Sequence, residues 1–352
     1  MMGGGFSTGH EYQTRGRGVS GQGSGAGSGT RIDTFVDEGD TVDDAYDEFA
    51  EDTTITDRQG ETISARRDVI VAILEEDLSI KESQLIGSFT RGTMVGPLKQ
   101  DSDADIMIVL DADEHRQWTT QRNGATNALR AVKRRIENDP RFADTEVTID
   151  QNVVKVRYHD STLEIAPAFD YSEVPHAEHP RDGFNLFNDA SDGYAIPDTH
   201  GSDSWMGTNP RAYKNEFEAR DQAHDGRVSG LTRMMKKWSD NNEVPVRSYH
   251  MEIMVHNYFA EKARTGERVP SNYHDLAMDF MQSLPDRVRS TTREPIYDEA
   301  VDGGMSREER EAAARKAESA ADTLDEAAAA KERGDTATAK QRLKTEYGEG
   351  FQ

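Results

Sequence analysis

Apolar positions recur along this chain in short runs of two different periods. Val69, Ile70, Ile73 and Leu74 fall on one face at helical spacing and predict a helix from about Asp57 to Leu78. Leu129, Val132 and Ile136 predict a second, from about Glu114 to Asn138, ended before Pro140. Phe35, Val36, Tyr46 and Phe49, scattered through the acidic stretch 31–51, predict a helix that packs on the body. Leu231, Met234, Met235 and Trp238 are spaced i, i+3, i+4 and i+7, a core stripe that leaves Lys236 and Lys237 to the side. After Pro245, the segment Ser248-Tyr249-His250-Met251-Glu252 opens another helix through Tyr258. Ser306 and Glu309 stand at capping-box spacing ahead of an Ala- and charge-rich helix to about Arg333. Gly334-Asp335 breaks it, and a shorter helix follows to about Tyr347.

Alternation marks the strands. Thr145 to Val156 alternates about the turn-like Asp150-Gln151-Asn152 and predicts a hairpin. Ile106 to Leu110 is a short apolar strand. Ser161 to Ala166 is another, and Pro167 is expected to end it or confine it to an edge, because proline has no N–H for a ladder. Residues 1–30 are rich in Gly and Ser, lack apolar periodicity and read as a disordered tail.

The stretch from Leu85 to Asp111 carries the candidate chemistry. Gly87-Ser88 follows a short apolar lead-in and opens a turn into a helix, where unpaired N–H groups and a hydroxyl can hold a phosphate. Asp103 and Asp105, at i and i+2, lead into the strand and point to the same side of it. Close carboxylates repel unless a cation lies between them. A phosphate cradle beside paired carboxylates is the outline of a metal-dependent nucleotidyl-transfer site. A third acid is needed. Glu164, between apolar neighbours on a strand, supplies it if that strand lies beside the one bearing Asp103 and Asp105.

Composition narrows the partners. The chain has 352 residues, enough for one large or two modest domains. Its 66 acidic residues exceed the 42 basic ones, giving a net charge of −24. The basic set is 30 Arg and 12 Lys. Strong acidity with few lysines points to salt adaptation, as in a halophile, because in molar salt the Debye length falls to about 3 Å and self-repulsion is screened. No broad basic face for a nucleic acid is visible, so no stable nucleic-acid partner is expected. Cysteine is absent, which excludes disulfides and thiol catalysis. No apolar run is long enough to span a bilayer, and a cytoplasmic protein without a membrane partner is expected. The histidines are scattered, and metal binding at His176 and His179 is not expected.

Three segments together resemble the nucleotidyltransferase superfamily, in the branch of cGAS/DncV-like enzymes (CD-NTases, SMODS-type synthetases). They are Gly87-Ser88-Phe89-Thr90-Arg91-Gly92-Thr93, Asp103-Ala104-Asp105-Ile106, and Glu164-Ile165-Ala166-Pro167-Ala168-Phe169. Ile196-Pro197-Asp198, Trp205, Thr208-Asn209-Pro210, the Lys236-x-Trp238 helix and Ser248-Tyr249-x-x-Glu252 extend the likeness, from about residue 45 to the C-terminus. The chain departs from many members in carrying Glu164 rather than aspartate as the third acid.

The resemblance implies an α+β protein with a polymerase-β-like nucleotidyltransferase sheet core and a C-terminal helical lobe. The expected division is a tail over 1–30, a catalytic core over 31–170, and a helical nucleotide-binding and scaffold lobe over 171–352. It implies two Mg²⁺ ions, with Mn²⁺ as a substitute, held by Asp103, Asp105 and Glu164. It places Gly87, Ser88, Lys236 and Ser248 on the triphosphate, although Ser248 could equally cap its helix. Tyr194 and Tyr249 are candidates for stacking on a base. Arg91 is left between a phosphate and a neighbouring acid. The implied activity joins NTPs, ATP among them, into a cyclic di- or trinucleotide or short oligonucleotide that activates an effector protein in anti-phage defence. A tRNA-directed nucleotidyltransferase and a catalytically silent nucleotide sensor are the competing readings.

Overall fold

The computed structural model describes residues 41–178, 193–199, 203–296 and 298–352. The expectations for residues 1–40 and for His179 lie outside these.

Capping boxes start the first two helices. Thr41 with Asp44 caps α1 (Val42–Asp52), and Thr56 with Gln59 caps α2 (Asp57–Glu75). Ile70, Ile73 and Leu74 of α2 are buried, but Val69 is 37% exposed. The buried stripe runs back through Ile63 instead, which puts Val69 at its edge.

A mixed sheet forms the first core. β1 (Ile80–Leu85) pairs antiparallel with β2 (Asp103–Leu110), and β2 pairs parallel with β5 (Thr162–Asp170). The hairpin of β3 (Glu146–Asp150) and β4 (Val153–Arg157) turns at Gln151-Asn152 and joins β5 on its other side. Short strands β6 (Tyr194–Asp198) and β7 (Ser204–Thr208) extend the far end of β5.

Pro167 neither ends β5 nor lies at an edge, contrary to expectation. The pairing with β2 continues through Ala168. On the other side β4 pairs only to Ile165, and β6 begins at Phe169. Pro167 falls in that gap, where no ladder asks for its N–H.

The helix expected over 114–138 is two, α4 (Arg116–Thr120) and α5 (Gly124–Glu137), with α3 (Gly87–Thr90) a single turn earlier in the chain. The break follows from close approach. A Cβ at Gly124 would overlap the Trp118 carbonyl, so the chain leaves helical geometry at Gln121 and restarts at the glycine. Ala125, Ala128, Leu129, Val132 and Ile136 of α5 cover one sheet face with α2.

The second core is helical. α6 (Pro210–Ala223), α7 (Arg227–Asn241), α8 (Ser248–Thr265), α9 (Tyr273–Arg289), α10 (Arg307–Glu332) and α11 (Thr336–Tyr347) pack around Trp238, Tyr258, Phe280 and Tyr347. Each such side chain contributes about 1.5–3 kcal/mol by leaving water. This core also takes in α1, through Tyr46 and Phe49. The Ser306–Glu309 capping box is present at the start of α10. No helix among the described residues is long and apolar enough to cross a membrane.

Candidate active site

Alternation along β2 sets the acids. Ala104, Ile106, Ile108 and Leu110 join the core beneath α2 and α5, while Met107 and Val109 face the other way with Ala168. Asp103 and Asp105 share the Met107 face by the two-residue period. The parallel register sets Glu164 directly opposite Asp105. The sheet thus brings all three acids to one side, on neighbouring strands.

Burial, followed by the charge of Glu164, raises the carboxyl of Asp103 to about 6 and that of Asp105 to about 7. Both side chains line a cavity, Asp103 at an exposed position and Asp105 at a half-buried one. Arg91 acts in the opposite direction on Asp105. Glu164 turns toward the neighbouring strand, where Lys155 Nζ donates to its Oε1 at 2.8 Å and to Asp150 Oδ2 at 2.8 Å. Among the described residues no three His, Cys, Asp or Glu side chains are already gathered as a metal cluster. The donor chemistry nevertheless fits Mg²⁺, which takes a few hard carboxylate oxygens. Two acids kept from full ionisation by burial and mutual repulsion are the groups a divalent cation relieves.

Gly87 borders Asp105. It adopts φ +70°, and a Cβ there would overlap Asp105 Oδ2. Ile86 N–H donates to the Asp105 carbonyl at 2.9 Å, which ties the cradle to the strand. Ser88 O accepts from Thr93 N and Met94 N, folding the loop back under the turn. Because α3 is only four residues long, it has little macrodipole; what it presents is the N–H groups of a helix start.

Arg91 pairs with an acid, which settles the choice left by the sequence. Its Nε donates to Glu252 Oε1 at 2.6 Å. Glu252, wholly buried, also accepts from Thr93 Oγ1 at 2.6 Å and Lys236 Nζ at 2.8 Å. Lys236 is itself only 5% exposed, since α7 is enclosed on more sides than its apolar stripe indicates. Burial pushes the Glu252 carboxyl up, but Lys236, Arg91 and the hydrogen bonds outweigh it and hold the group at about 2.

The sign of the resulting pH dependence is definite. A depressed carboxylate stabilises the fold above its unfolded value and loses that contribution as pH falls through the folded one. At pH 7, Glu252→Gln is expected to unfold about 3–5 kcal/mol more easily than wild type, having left two buried cations without a counter-charge. That gap should narrow as pH drops from about 4.5 toward about 2. Urea unfolding of both proteins across that range checks it.

A cavity of about 830 Å³ opens over these groups. Gly87, Ser88, Asp103, Asp105, Glu164, Lys236, Ser248 and Tyr249 all border it. Ser248 is the first residue of α8, and no side chain caps that helix, so the capping reading of Ser248 is not what the structure has. Tyr249 is 41% exposed, with its ring edge-on to Tyr213 at 6.0 Å. Tyr194 is the site residue the structure sets apart. It is buried on β6, its hydroxyl 3.4 Å from Glu82, and it does not line the cavity. Its place on an inner strand of the β5–β6–β7 ladder removes its ring from any base there.

Several cavity residues escaped the sequence reading. Lys99, Lys237 and Arg247 line it, and none forms an ion pair among the described residues. Tyr213 lies beneath Arg91, whose guanidinium sits 4.8 Å from its ring centre. No local motif marks these positions; only the meeting of the two cores selects them.

Comparison with known proteins agrees with this geometry. Residues 41–181 match the family model of the Second Messenger Oligonucleotide or Dinucleotide Synthetase domain. A probable cyclic nucleotide synthase of Bacillus cereus (strain VD146) is 27% identical over 258 residues, covering 63% of this chain and 72% of the relative. The structure of Escherichia coli MS115-1 CdnC with ATP superposes with TM-score 0.63 at 16% identity, over 88% of this chain and 98% of that one. Vibrio cholerae DncV cyclic AMP-GMP synthase superposes with TM-score 0.62 at 13% identity, over 88% and 96%. The fold is the polymerase-β-like α+β arrangement of a sheet core and a helical lobe. Over residues 41–181 the chain is thus similar to that synthetase domain, and over most of its length it shares the fold of CdnC and DncV.

Proposed function

We propose that the protein joins nucleoside triphosphates without a template, releasing pyrophosphate, to make a cyclic di- or trinucleotide or a short oligonucleotide messenger. The observation that carries this reading is the convergence of Asp103, Asp105 and Glu164 on paired strands beside the Gly87-Ser88 turn, at the floor of a cavity large enough for nucleotides. The printed names of the relatives, a probable cyclic nucleotide synthase and a cyclic AMP-GMP synthase, support it.

In this reading a ribose hydroxyl of one nucleotide attacks the α-phosphorus of another. The new O–P bond forms, the bond to the bridging oxygen breaks, and pyrophosphate leaves with that electron pair. Asp103, Asp105 and Glu164 would hold Mg²⁺, or Mn²⁺ in its place. When bound, the metal lowers the pKa of the attacking hydroxyl and neutralises charge on the leaving group. Glu164 accepts the hydroxyl proton or passes it to solvent. Ser88, the N–H groups beside Gly87, and Lys236 orient the terminal phosphates, and Ser248 approaches them from the start of α8. Tyr249 offers its ring face to a base at the cavity mouth.

The test is to incubate the purified protein with all four labelled NTPs and Mg²⁺ or Mn²⁺, at low and high salt, without nucleic acid. A phosphatase-resistant nucleotide product is expected. Product formed only after adding tRNA would overturn the template-free reading. Metal binding has its own readout: Mg²⁺ should raise the melting temperature by roughly 5 °C in wild type and leave Asp103→Asn/Asp105→Asn unmoved. We also propose that the messenger activates a downstream effector in anti-phage defence. Plaque counts on cells carrying wild type or Asp103→Ala/Asp105→Ala protein test that role, and equal counts would discard it.

A further inference from the structure

Glu252 borders the cavity without any exposed surface of its own, and the reaction outlined above gives it no task. Its three partners come from separate parts of the chain. Arg91 and Thr93 belong to the loop after the phosphate turn, and Lys236 to α7. One turn earlier on α7, Arg233 donates to the Gly92 carbonyl of the same loop. An ammonium has three N–H donors. Lys236 gives one to Glu252 and one to the Thr93 carbonyl at 3.1 Å, which leaves one for the cavity it lines. Arg91 is fixed in the same way, and it already acts on Asp105. Without Glu252, Lys236 would have Asp240, one turn further along the same helix and also at the cavity, as an anion nearby.

We propose that Glu252 is a positioning residue for the phosphate site: held in place by Arg91 and Thr93, it aims Lys236 at the incoming triphosphate. This deepens, and rests on, the nucleotidyl-transfer reading. Simple charge balance makes the opposite forecast, because deleting a buried anion should strengthen the binding of a polyanion.

The experiment measures binding of α,β-methylene-ATP, which cannot release pyrophosphate, in Mg²⁺ to wild type, Glu252→Gln, Lys236→Gln and the double variant. KM and kcat with ATP are measured alongside. Kd is expected to rise about tenfold in Glu252→Gln, with KM rising more than kcat falls. The double variant should be no weaker than Lys236→Gln, since Glu252 acts through Lys236. Unchanged or tighter binding in Glu252→Gln, or losses that add in the double variant, overturns the proposal. If Glu252→Gln does not fold, Thr93→Val removes one of its hydrogen bonds and leaves every charge; a Kd rise of about threefold is then expected, and no rise overturns the proposal. Turnover in wild type with an unshifted Kd in the variants sinks the positioning role alone. Shifted binding with no turnover in wild type sinks the synthase reading alone, and a wild type that neither binds nor turns over sinks both.

Discussion

Asp103→Ala and Asp105→Ala are each expected to lower product formation about a thousandfold or more, while the protein stays folded. The size follows from the proposed reaction, in which a metal held by these carboxylates would offset charge on the entering and the leaving oxygen. Removing one of the carboxylates would then withdraw several kcal/mol from the transition state and little from substrate binding. Folding should not suffer. Both carboxyls lie above the usual carboxylate range because burial and Glu164 disfavour their charge, so neither is a stabilising ion pair. Melting temperatures should therefore hold or rise in metal-free buffer. Asp68→Ala, which removes an exposed acid on α2 that pairs with Arg67, is the control and should keep its activity within about threefold. Initial rates with labelled ATP and GTP decide the matter. An Asp105→Ala enzyme keeping a tenth of wild-type activity would remove that residue from the reaction.

Gly87→Ala is expected to cost about a hundredfold in kcat/KM, far more than its effect on stability. Two separate demands meet at this position. The backbone is in the left-handed region, which penalises any side chain by about 1–2 kcal/mol. The added methyl would also overlap Asp105 Oδ2 and drive that carboxylate off its place. Gly92 separates the two effects. It has φ +67° and nothing near its absent Cβ, so Gly92→Ala carries the same backbone strain without touching an acid. The two variants should melt at similar temperatures, and only Gly87→Ala should lose most of its turnover. Equal losses of activity in both would mean that backbone strain, not contact with Asp105, explains the glycine.

Local signals fared well wherever the cause was local. Capping residues placed the start of α10, and the turn at Gln151-Asn152 set the hairpin that ends up beside Glu164. They failed where a distant partner overrode them. Pro167 reads as a stop, but the strands beside it leave a gap at its nitrogen. Gly124 reads as an ordinary helical residue, but its contact with Trp118 breaks the helix in two. Lys236 lies off its helix's apolar stripe and reads as a solvated cation, although Glu252 holds it in the interior.

The order of glycine turn, paired aspartates and third acid, and the alternation that sends Asp103 and Asp105 to one side of a strand, were determined by the sequence itself, because each depends on spacing within a few residues. The parallel register opposing Glu164 to Asp105, the burial that raises both aspartates, and the Arg91–Glu252–Lys236 cluster were decided only by tertiary structure. Arg91 and Glu252 are separated by 161 residues, and no local period spans such a distance. Two aromatics at the same level of sequence signal show the same division. Tyr249 reaches the cavity and Tyr194 does not, because one begins a helix at the rim and the other is held inside a strand ladder. Position along the chain gives a side chain its chemistry, but which groups can act together depends on how separate elements pack, and that energy is not written in any one segment.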